Sequence, residues 1–345
     1  MSDSDNDSDS NIPPLKVCEE RCKEFASVTG TNSALAMFYL QDRDWDLQRA
    51  LNAYFADSAH SGGSAPKGAS ATSTTASAQP ANVTKVVHPE PHRIRLLSWN
   101  IDGLDQENIE TRAKSVAQTI NKEKPDVVYL QEVVPTNQDI LEEMCPTYEF
   151  FGGATRGYYV AMMFNTNSVI AEEAEYMPFE SSRMGRGMLS AKVKIKGIPA
   201  NLFTSHFEST KDHAAERKNQ LKKALEKMAA ADPEATVILG GDLNLRDYEL
   251  VEVGGLPDGM LDIWEATGRR PEAKFTWDTT RNDNLYWSFK FHPRCRFDRI
   301  FLRHPKEGGN KLKPVYFELV GIKRIPACKR FPSDHWGLLT HYDKI

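Results

Sequence analysis

Polar side chains that can handle a metal ion or a phosphate follow one apolar segment after another along this chain. They are Asn100, Asp102, Glu132, His206, Asp242, Asn244, Asp298, Asp334 and His335. Oxygen donors without cysteine suit Mg²⁺ or Mn²⁺ better than Zn²⁺. Carboxylates combined with histidine and asparagine are the groups that metal-assisted phosphoryl transfer uses. Singly, each acidic residue is more often a cap or a surface charge, so the hypothesis depends on their converging.

The segment 236–244, with the sequence TVILGGDLN, concentrates this chemistry. Its apolar residues favour a buried strand, and Gly240 and Gly241 allow the backbone to approach a ligand closely. In an extended chain Asp242 and Asn244 lie on one face, because strand side chains alternate with period two. The alternative is an Asx turn, since Gly, Asp and Asn are the ordinary turn residues. The pattern by itself leaves both interpretations open.

Strands and helices alternate through the larger, C-terminal part of the chain. Residues 94–99 and 127–130 are short apolar runs typical of strands, whereas Ile109, Val116 and Ile120 recur on one helical face. Interposed helices and a strand-rich second half predict a layered α/β sandwich. The sequence has no glycine-rich phosphate loop where a doubly wound nucleotide-binding fold needs one, which makes that fold the weaker alternative.

The N-terminal quarter differs in composition from the rest. Residues 1–14 are a Ser/Asp tail that we expect to be disordered. Residues 15–57 carry apolar side chains at the spacing of three short helices. Residues 58–90 are rich in Ser, Ala, Thr and Gly, which is typical of a flexible linker. We expect residues 91–345 to form the larger domain, which carries the candidate site residues.

Charge and cysteine content limit the classes of function. The first 90 residues carry 7 basic and 12 acidic side chains, and the rest carry 36 of each, so the whole net charge of −5 lies in the first part. Nucleic-acid binding by the larger part therefore requires local patches and a metal. The 5 cysteines include no Cys-x-x-Cys pair, which argues against disulfides and zinc. Without an apolar signal segment or a run near ~18 apolar residues, we expect a soluble intracellular protein.

Six motifs match a known family in order and spacing over residues 93–343. They are Trp99-Asn100, Leu130-Gln131-Glu132, Ser205-His206, Gly241-Asp242-Leu243-Asn244, Phe297-Asp298-Arg299-Ile300 and Ser333-Asp334-His335. The series resembles that of the endonuclease/exonuclease/phosphatase superfamily, and the resemblance implies a four-layered α/β sandwich. Longer stretches resemble the type 2 tyrosyl-DNA phosphodiesterase family within it: residues 98–105, 205–210, 241–247, 275–279 and 331–337. Leu243 and Phe207 depart from the family pattern at positions that should leave the chemistry intact, and residues 286–295 are longer than in that pattern.

The resemblance implies Mg²⁺-dependent hydrolysis of the bond between a tyrosine and a DNA 5′ end, with Mn²⁺ as a substitute. The implied substrate is a topoisomerase II adduct, and the product is a 5′-phosphate for double-strand break repair. Tyrosine is a reasonable leaving group, because a phenol has a pKa near ~10 and its anion needs little help from an acid. A DNA substrate implies that the protein is found in the nucleus. The cytoplasm is the second location considered.

By the same resemblance, Glu132 and Asp102 hold the metal. The implied catalytic residues are Asp242 as the base, Asn244 beside it, His335 set by Asp298, His206 with Asn100 as phosphate donors, and Asp334 as the floor of the site. The candidate substrate contacts are Trp277, Phe297, Tyr158, Leu285, Arg246, Arg186 and Ser209. The aromatic residues are candidates because bases stack on such rings, although any one of them alone is more often part of a core.

Residues 15–57 resemble a ubiquitin-associated (UBA-like) domain through residues 25–30, 34–40 and 44–55. Ubiquitin binding is implied by the resemblance, and a folded cap without a partner is the alternative. Within the superfamily, the other functions considered are an abasic-site or general DNA endonuclease and an inositol or lipid phosphatase. A ubiquitin-binding adaptor without catalysis is the hypothesis from a different class of protein.

Overall fold

The computed structural model describes residues 15–29, 36, 40, 45–51, 92–153, 157–285 and 292–345. The chain divides into two compact units, one formed by Met1–His88 with residues 288–291 and the other by Pro89–Trp287 and His292–Ile345. The predicted disordered tail at 1–14 and the predicted linker at 58–90 lie outside the described residues. Among the helices that are described, none combines the length and the apolar composition that crossing a lipid bilayer requires.

The N-terminal unit contains helix α1 (Leu15–Thr29), and residues 47–51 are also helical. Its buried apolar residues are Cys22, Phe25, Ala36, Leu40, Trp45 and Ala50. Oδ1 of Asp46 accepts the backbone N–H of Arg49 at 2.8 Å, so Asp46 caps the helical segment at residues 47–51. The predicted second helix lies mostly outside the described residues, so the count of three helices stays a prediction.

The C-terminal unit contains two six-stranded sheets and a two-stranded ribbon in its described residues. The strands are β1 (Ile94–Asn100), β2 (Val127–Val133), β3 (Tyr148–Gly152), β4 (Tyr159–Asn165), β5 (Val169–Pro178), β6 (Gly187–Ile195), β7 (Ile198–His206), β8 (Thr236–Asp242), β9 (Met260–Asp262), β10 (Trp277–Asp278), β11 (Arg294–Cys295), β12 (Asp298–Arg303), β13 (Leu312–Val320) and β14 (Gly337–Lys344). The helices are α2 (Ile109–Glu123), α3 (Pro135–Met144), α4 (Ala214–Ala230), α5 (Asp247–Glu252) and α6 (Ile263–Ala266), with a 3₁₀ turn at Pro271–Ala273.

The two large sheets pack face to face. Their strand orders are β13-β14-β1-β2-β4-β3 and β5-β6-β7-β8-β12-β9, and Leu96 of the first sheet shares one buried cluster with Ile238 of the second. Helix α2 covers the outer face of the first sheet through Val116, and α4 covers the second through Leu221. Each such buried side chain contributes about 1.5–3 kcal/mol. The order helix, sheet, sheet, helix confirms the predicted four-layered α/β sandwich.

The strand directions bring several chain ends to one edge of this sandwich. β1 and β2 are parallel and are joined through α2, and β7 and β8 are parallel and are joined through α4. Parallel strands end at the same edge, so the residues that follow them become neighbours. β12 runs antiparallel to β8, which places Asp298 directly opposite Asp242. This topology is what positions the polar residues.

Candidate active site

Polar side chains of the predicted set meet at the edge where β1, β2, β7 and β8 end. Asn100, His206 and Asp242 are the last residues of β1, β7 and β8. Asp298 starts β12, and His335 lies just before β14, which is antiparallel to β1. All five side chains are buried. The structure therefore brings together residues that are far apart in the sequence.

Asp242 is the centre of the site. Its Oδ2 atom accepts a hydrogen bond from Nδ2 of Asn100 at 3.0 Å and lies 3.2 Å from Nε2 of His206. Nε2 of His335 is 3.8 Å from the same oxygen. Burial alone raises the pKa of Asp242, but His206 and His335 outweigh burial and hold the pKa below its ordinary value. Asp242 is therefore a buried carboxylate that stays charged at neutral pH.

The backbone after β8 explains the glycine pair in the sequence. A Cβ atom on Gly241 would lie 2.1 Å from the carbonyl oxygen of Ser205, and φ of Gly241 is 143°. Beyond Asp242 the chain leaves the extended conformation: Asn244 has φ 49°, and its N–H donates to Oδ1 of Asp242 at 3.1 Å. The Asx turn is therefore right, and the prediction of one shared strand face is wrong. Nδ2 of Asn244 donates to the carbonyl of Phe207 at 3.2 Å.

His335 is held by a buried carboxylate. Its Nδ1 atom lies 2.8 Å from Oδ2 of Asp298, and its backbone N–H donates to Oγ of Ser333 at 3.0 Å. Burial by itself lowers the pKa of His335, but the carboxylates of Asp298 and Asp242 reverse this and raise the pKa well above its usual value. The ring therefore carries a positive charge.

Glu132 and Asp102 form a less buried acidic group beside this centre. Oε1 of Glu132 accepts a hydrogen bond from Nδ2 of Asn100 at 3.1 Å. The N–H of Gly103 donates to the carbonyl of Glu132 at 3.0 Å, which ties the turn after β1 to the end of β2. Burial, followed by the nearby carboxylate of Asp334, raises the pKa of Asp102 to about 8. Burial also raises the pKa of Glu132.

The chemistry of the donors fits a divalent cation at Glu132 and Asp102. The most compact ligand group in the described residues is Asp242, Asp298 and His335, with ligand atoms within 4.8 Å of one another. Within this group, Oδ2 of Asp298 already lies 2.8 Å from Nδ1 of His335, and Oδ2 of Asp242 accepts a hydrogen bond from Nδ2 of Asn100. Asp102 and Glu132 are instead two carboxylates with raised pKa values, and the charge of Glu132 adds to the shift at Asp102. A bound cation relieves such repulsion.

Three candidate residues adopt a left-handed backbone conformation that is uncommon outside glycine. The φ angles are 50° at Asp102, 55° at Glu132 and 49° at Asn244. The register of β2 shifts between Leu130 and Val133, so Glu132 lies in a bulge that redirects its side chain. Each left-handed residue costs about 1–3 kcal/mol and persists where its surroundings enforce it. Left-handed backbone therefore occurs at three residues that follow or end the strands of the site.

Aromatic rings adjoin the centre. The ring centroids of Trp277 and Phe297 are 5.7 Å apart, and those of Phe297 and His335 are 6.5 Å apart. The guanidinium carbon of Arg246 lies 5.2 Å from the centre of the Phe297 ring. Nε1 of Trp277 donates to Oδ2 of Asp334 at 3.0 Å. The structure therefore places these predicted residues, including Asp334, together with His335.

A cleft of about 210 Å³ adjoins His206 and is lined by Tyr158 and Arg186 among others. The guanidinium carbon of Arg186 lies 5.1 Å from the centre of the Tyr158 ring, and its Nη1 is 2.7 Å from Nδ1 of His206. Nη2 of Arg186 donates to Oγ of Ser209 at 3.1 Å. Because arginine only donates, Nδ1 of His206 is the acceptor and the ring proton lies on Nε2, which faces Asp242.

Comparison with known proteins identifies the family. The model of the endonuclease/exonuclease/phosphatase family matches residues 97–335, and that of a UBA-like domain matches residues 19–61. Tyrosyl-DNA phosphodiesterase 2 of Xenopus laevis is 39% identical over 352 residues, which cover 94% of this chain and 94% of the relative. This chain belongs to the tyrosyl-DNA phosphodiesterase 2 family. Tyrosyl-DNA phosphodiesterase 2 of Homo sapiens is 39% identical over 348 residues, which cover 96% of this chain and 94% of that relative.

A solved structure supports the same assignment. The Danio rerio tyrosyl-DNA phosphodiesterase 2, complexed with a single-strand DNA product, matches 73% of this chain and 99% of that chain with a TM-score of 0.70 at 39% identity. The predicted resemblance to the endonuclease/exonuclease/phosphatase and tyrosyl-DNA phosphodiesterase 2 families is confirmed, as is the resemblance to a UBA-like domain.

The tyrosyl-DNA phosphodiesterase 2 motifs did not reveal how the loop bearing Arg186 is held. The buried carboxylate of Glu208 accepts the N–H groups of Arg183 at 2.7 Å and Met184 at 3.1 Å. Glu208 lies within the motif at residues 205–210. Its hydrogen bonds to a loop more than 20 positions earlier in the chain are visible only in the structure. The predicted contact Leu285 is 45% exposed and borders residues 286–291, which are outside the described part, so its contact with substrate stays a prediction.

Arg112 is the second residue that the family motifs missed. It is 1% exposed, and its Nη1 atom donates to Oδ2 of Asp102 at 3.3 Å. The sequence carries one usable signal, because Arg112 precedes Val116 by four positions and therefore shares its buried helical face. A charged residue at an apolar position of an amphipathic helix indicates a buried ion pair or a functional group.

Proposed function

We propose that this chain hydrolyses the phosphodiester between a tyrosine side chain and a DNA 5′ end, and that it leaves a 5′-phosphate. The names of the relatives support this substrate. The observation that carries the proposal is the sharing of one amide: Nδ2 of Asn100 donates both to Asp242 at 3.0 Å and to Glu132 at 3.1 Å. One asparagine thus joins a charged base to the acidic group that suits a metal.

Asp242 is the proposed base. Its lowered pKa keeps it charged, so it can orient a water molecule and accept its proton. Asn244 fixes the turn that follows Asp242 and lies beside the position of the nucleophile. Asn100 and the Nε2–H group of His206 complete the donors around this carboxylate.

His335 is the proposed cationic donor to the phosphate oxygens. The hydrogen bond to Asp298 leaves Nε2 free to face the reacting group, and the raised pKa supplies the charge. A fixed donor of this kind is worth about 3 kcal/mol of transition-state stabilisation. Asp334 fixes the floor of the site through its hydrogen bond with Trp277.

The proposed cofactor is Mg²⁺, which Mn²⁺ can replace. Glu132 and Asp102 are the residues that would hold it, since both are carboxylates and hard oxygen donors suit these ions. When bound, the cation neutralises the negative charge of the phosphodiester and of the departing phenolate.

The proposed DNA contacts are the Trp277–Phe297 wall for the terminal base and Arg246 beside it. Stacking of a base on an aromatic ring is worth about 1–3 kcal/mol. Tyr158, Arg186 and Ser209 form one contact group beside His206 and are further proposed substrate contacts, with Tyr158 for the terminal nucleotide and Arg186 for a phosphate.

The substrate is tested by competition between two DNA molecules. A 5′-tyrosyl oligonucleotide should be cleaved with release of free tyrosine and a 5′-phosphate, and a duplex with an internal abasic site should be cleaved far more slowly. Faster cleavage of the abasic duplex would replace the proposal by a DNA endonuclease. Faster release of phosphate from an inositol phosphate would replace it by a phosphatase.

Ubiquitin binding by the N-terminal unit is a second proposed function, and the UBA-like match at residues 19–61 favours it. Titration of residues 1–90 with ubiquitin, followed by NMR, should show saturable shifts. Residues 91–345 should cleave a purified 5′-tyrosyl oligonucleotide alone, and a folded but inactive fragment would reject this division into domains. Topoisomerase II adducts as the cellular substrate and a nuclear location are proposed from the DNA chemistry, and imaging of the tagged chain tests the second.

A further inference from the structure

Arg112 uses every hydrogen-bond donor that a guanidinium group has. The five acceptors are the carbonyl of Glu107 at 3.0 Å from Nε, Oδ2 of Asp102 and the carbonyl of Pro332 each at 3.3 Å from Nη1, and the carbonyls of Asp102 (3.0 Å) and Asp105 from Nη2. An arginine carries five N–H donors in a rigid planar arrangement, so this site is fully matched. The side chain is 1% exposed, so water cannot replace these bonds.

The acceptors belong to two loops of the proposed active site. Four of them lie in the turn that joins β1 to α2 and carries Asp102, which is in the left-handed conformation. The fifth is the carbonyl of Pro332, two residues before Asp334. Arg112 therefore binds both the carbonyl and the carboxylate of Asp102 and joins this turn to the segment that carries Asp334 and His335.

A second arginine binds the same turn from the other side. Arg330 forms ion pairs with the carboxylates of Asp105 and Glu107, and its Nη2 donates to the carbonyl of Asn284 at 3.0 Å. It is 12% exposed, so it is less deeply buried than Arg112. Two arginines thus bind one short turn. The N–H of Gly103 in the same turn also donates to the carbonyl of Glu132 near the end of β2.

We propose that Arg112 is a positioning residue that sets the affinity of the Asp102–Glu132 site for its divalent cation by fixing the turn that carries Asp102. The inference rests on the proposed metal site. Charge and geometry act in opposite directions here: the positive charge of Arg112 opposes a cation, whereas its hydrogen bonds preorganise a ligand. A substitution that keeps the charge and removes the bonds separates the two effects.

Arg112→Lys is that substitution, because lysine keeps one positive charge but cannot reproduce the planar set of five bonds. Mn²⁺ binding to the full-length protein, followed by electron paramagnetic resonance without substrate, is the readout. Loss of the groups that orient a metal ligand weakens binding by about 10–100-fold, and this is the expected result. The thermal melting temperature is measured on the same samples.

Arg303→Lys is the matched control. Arg303 is 4% exposed and donates to the carbonyls of Met228, Ala231, Asp232 and His304, so it is also a buried arginine bound to backbone. Arg303 is the last residue of β12, whereas Asp298 is the first, so Arg303 lies at the end of the strand away from the site. Arg303→Lys should lower the melting temperature and leave Mn²⁺ affinity unchanged, since a purely structural loss does not move the metal site.

Arg330→Lys keeps the test decisive if Arg112→Lys does not fold, because it also retains the positive charge. It weakens the hold on the same turn at its more exposed arginine, and the expected result is again weaker Mn²⁺ binding. Wild-type affinity in folded Arg112→Lys, or in Arg330→Lys when Arg112→Lys is unfolded, would overturn the inference. Absence of saturable Mn²⁺ binding by the wild type would overturn the proposed metal site itself, which is a distinguishable result.

Discussion

Replacement of Asp298 by asparagine should lower the pKa of His335, so that the ring loses its positive charge at a lower pH than in the wild type. The two side chains are buried, and Oδ2 of Asp298 lies 2.8 Å from Nδ1 of His335. Opposite charges about 4 Å apart interact by about 4 kcal/mol at an effective dielectric constant near 20. Loss of the pair should therefore lower the pKa of His335.

The catalytic consequence depends on pH in a definite direction. A histidine with a raised pKa is charged below that pKa, so wild-type His335 keeps its charge to a higher pH than an ordinary histidine does. In Asp298→Asn the charge is lost as pH rises through the lowered pKa. Removal of a charged donor should lower kcat by about 10²–10³-fold at pH 8, with a smaller deficit at pH 5.

The assay is kcat for tyrosine release from a 5′-tyrosyl oligonucleotide between pH 5 and 8. The matched control is Asp126→Asn: Asp126 is 4% exposed at the start of β2, and it bonds to the N–H of Arg95 and to Lys196. The control should lose stability and keep kcat. A kcat of Asp298→Asn within about threefold of wild type at pH 8, or a deficit that does not change with pH, would refute the reasoning.

Three further predictions test other parts of the site and fold. Glu132→Ala should abolish metal-dependent turnover because the principal ligand is lost, and activity retained at millimolar metal would disprove the assignment. Trp277→Ala should weaken binding of single-stranded DNA by about 5–150-fold, measured by fluorescence anisotropy, and an unchanged Kd would exclude stacking there. Burial, with Arg95 next, lowers the pKa of His341 to about 4. The folded protein therefore disfavours protonation of His341, so the free energy of unfolding should fall as pH drops from about 6.5 to 4. The fall should be about 1 kcal/mol larger in the wild type than in His341→Gln, as measured by urea denaturation. Equal falls in the two proteins would contradict the prediction.

The sequence predicts the parts of this protein that short-range patterns determine. Apolar runs that end in polar residues indicate buried strands, and the order of the motifs was enough to expect Asn100, His206 and Asp242 at one edge. These patterns do not predict β5, because it is an edge strand that exposes Glu172 and Glu175 and so lacks a clear apolar alternation. They do not predict helix α3 either, because it begins at Pro135, so close to the end of β2 that no separate segment is visible in the sequence.

Backbone conformation and long-range contacts could not be predicted from the chain. Period-two alternation failed at Asn244 because the residue adopts the left-handed conformation, in which asparagine is enriched among non-glycine residues and which agrees with the Asx-turn alternative. The bulge that redirects Glu132 and the five bonds of Arg112 arise only when distant loops pack together. Prediction was therefore best for which residues form the site and weakest for what holds them in place.

The central claim is that one pocket combines a charged base with a metal-binding carboxylate pair. The most direct measurement is Mg²⁺-dependent release of tyrosine from a 5′-tyrosyl DNA end by the wild type and by Asp242→Asn. The account predicts that release requires Mg²⁺ and that Asp242→Asn lowers kcat by about 10²–10⁴-fold with little change in DNA affinity. Release without a divalent cation, or a variant that keeps more than about a tenth of wild-type activity, would contradict it.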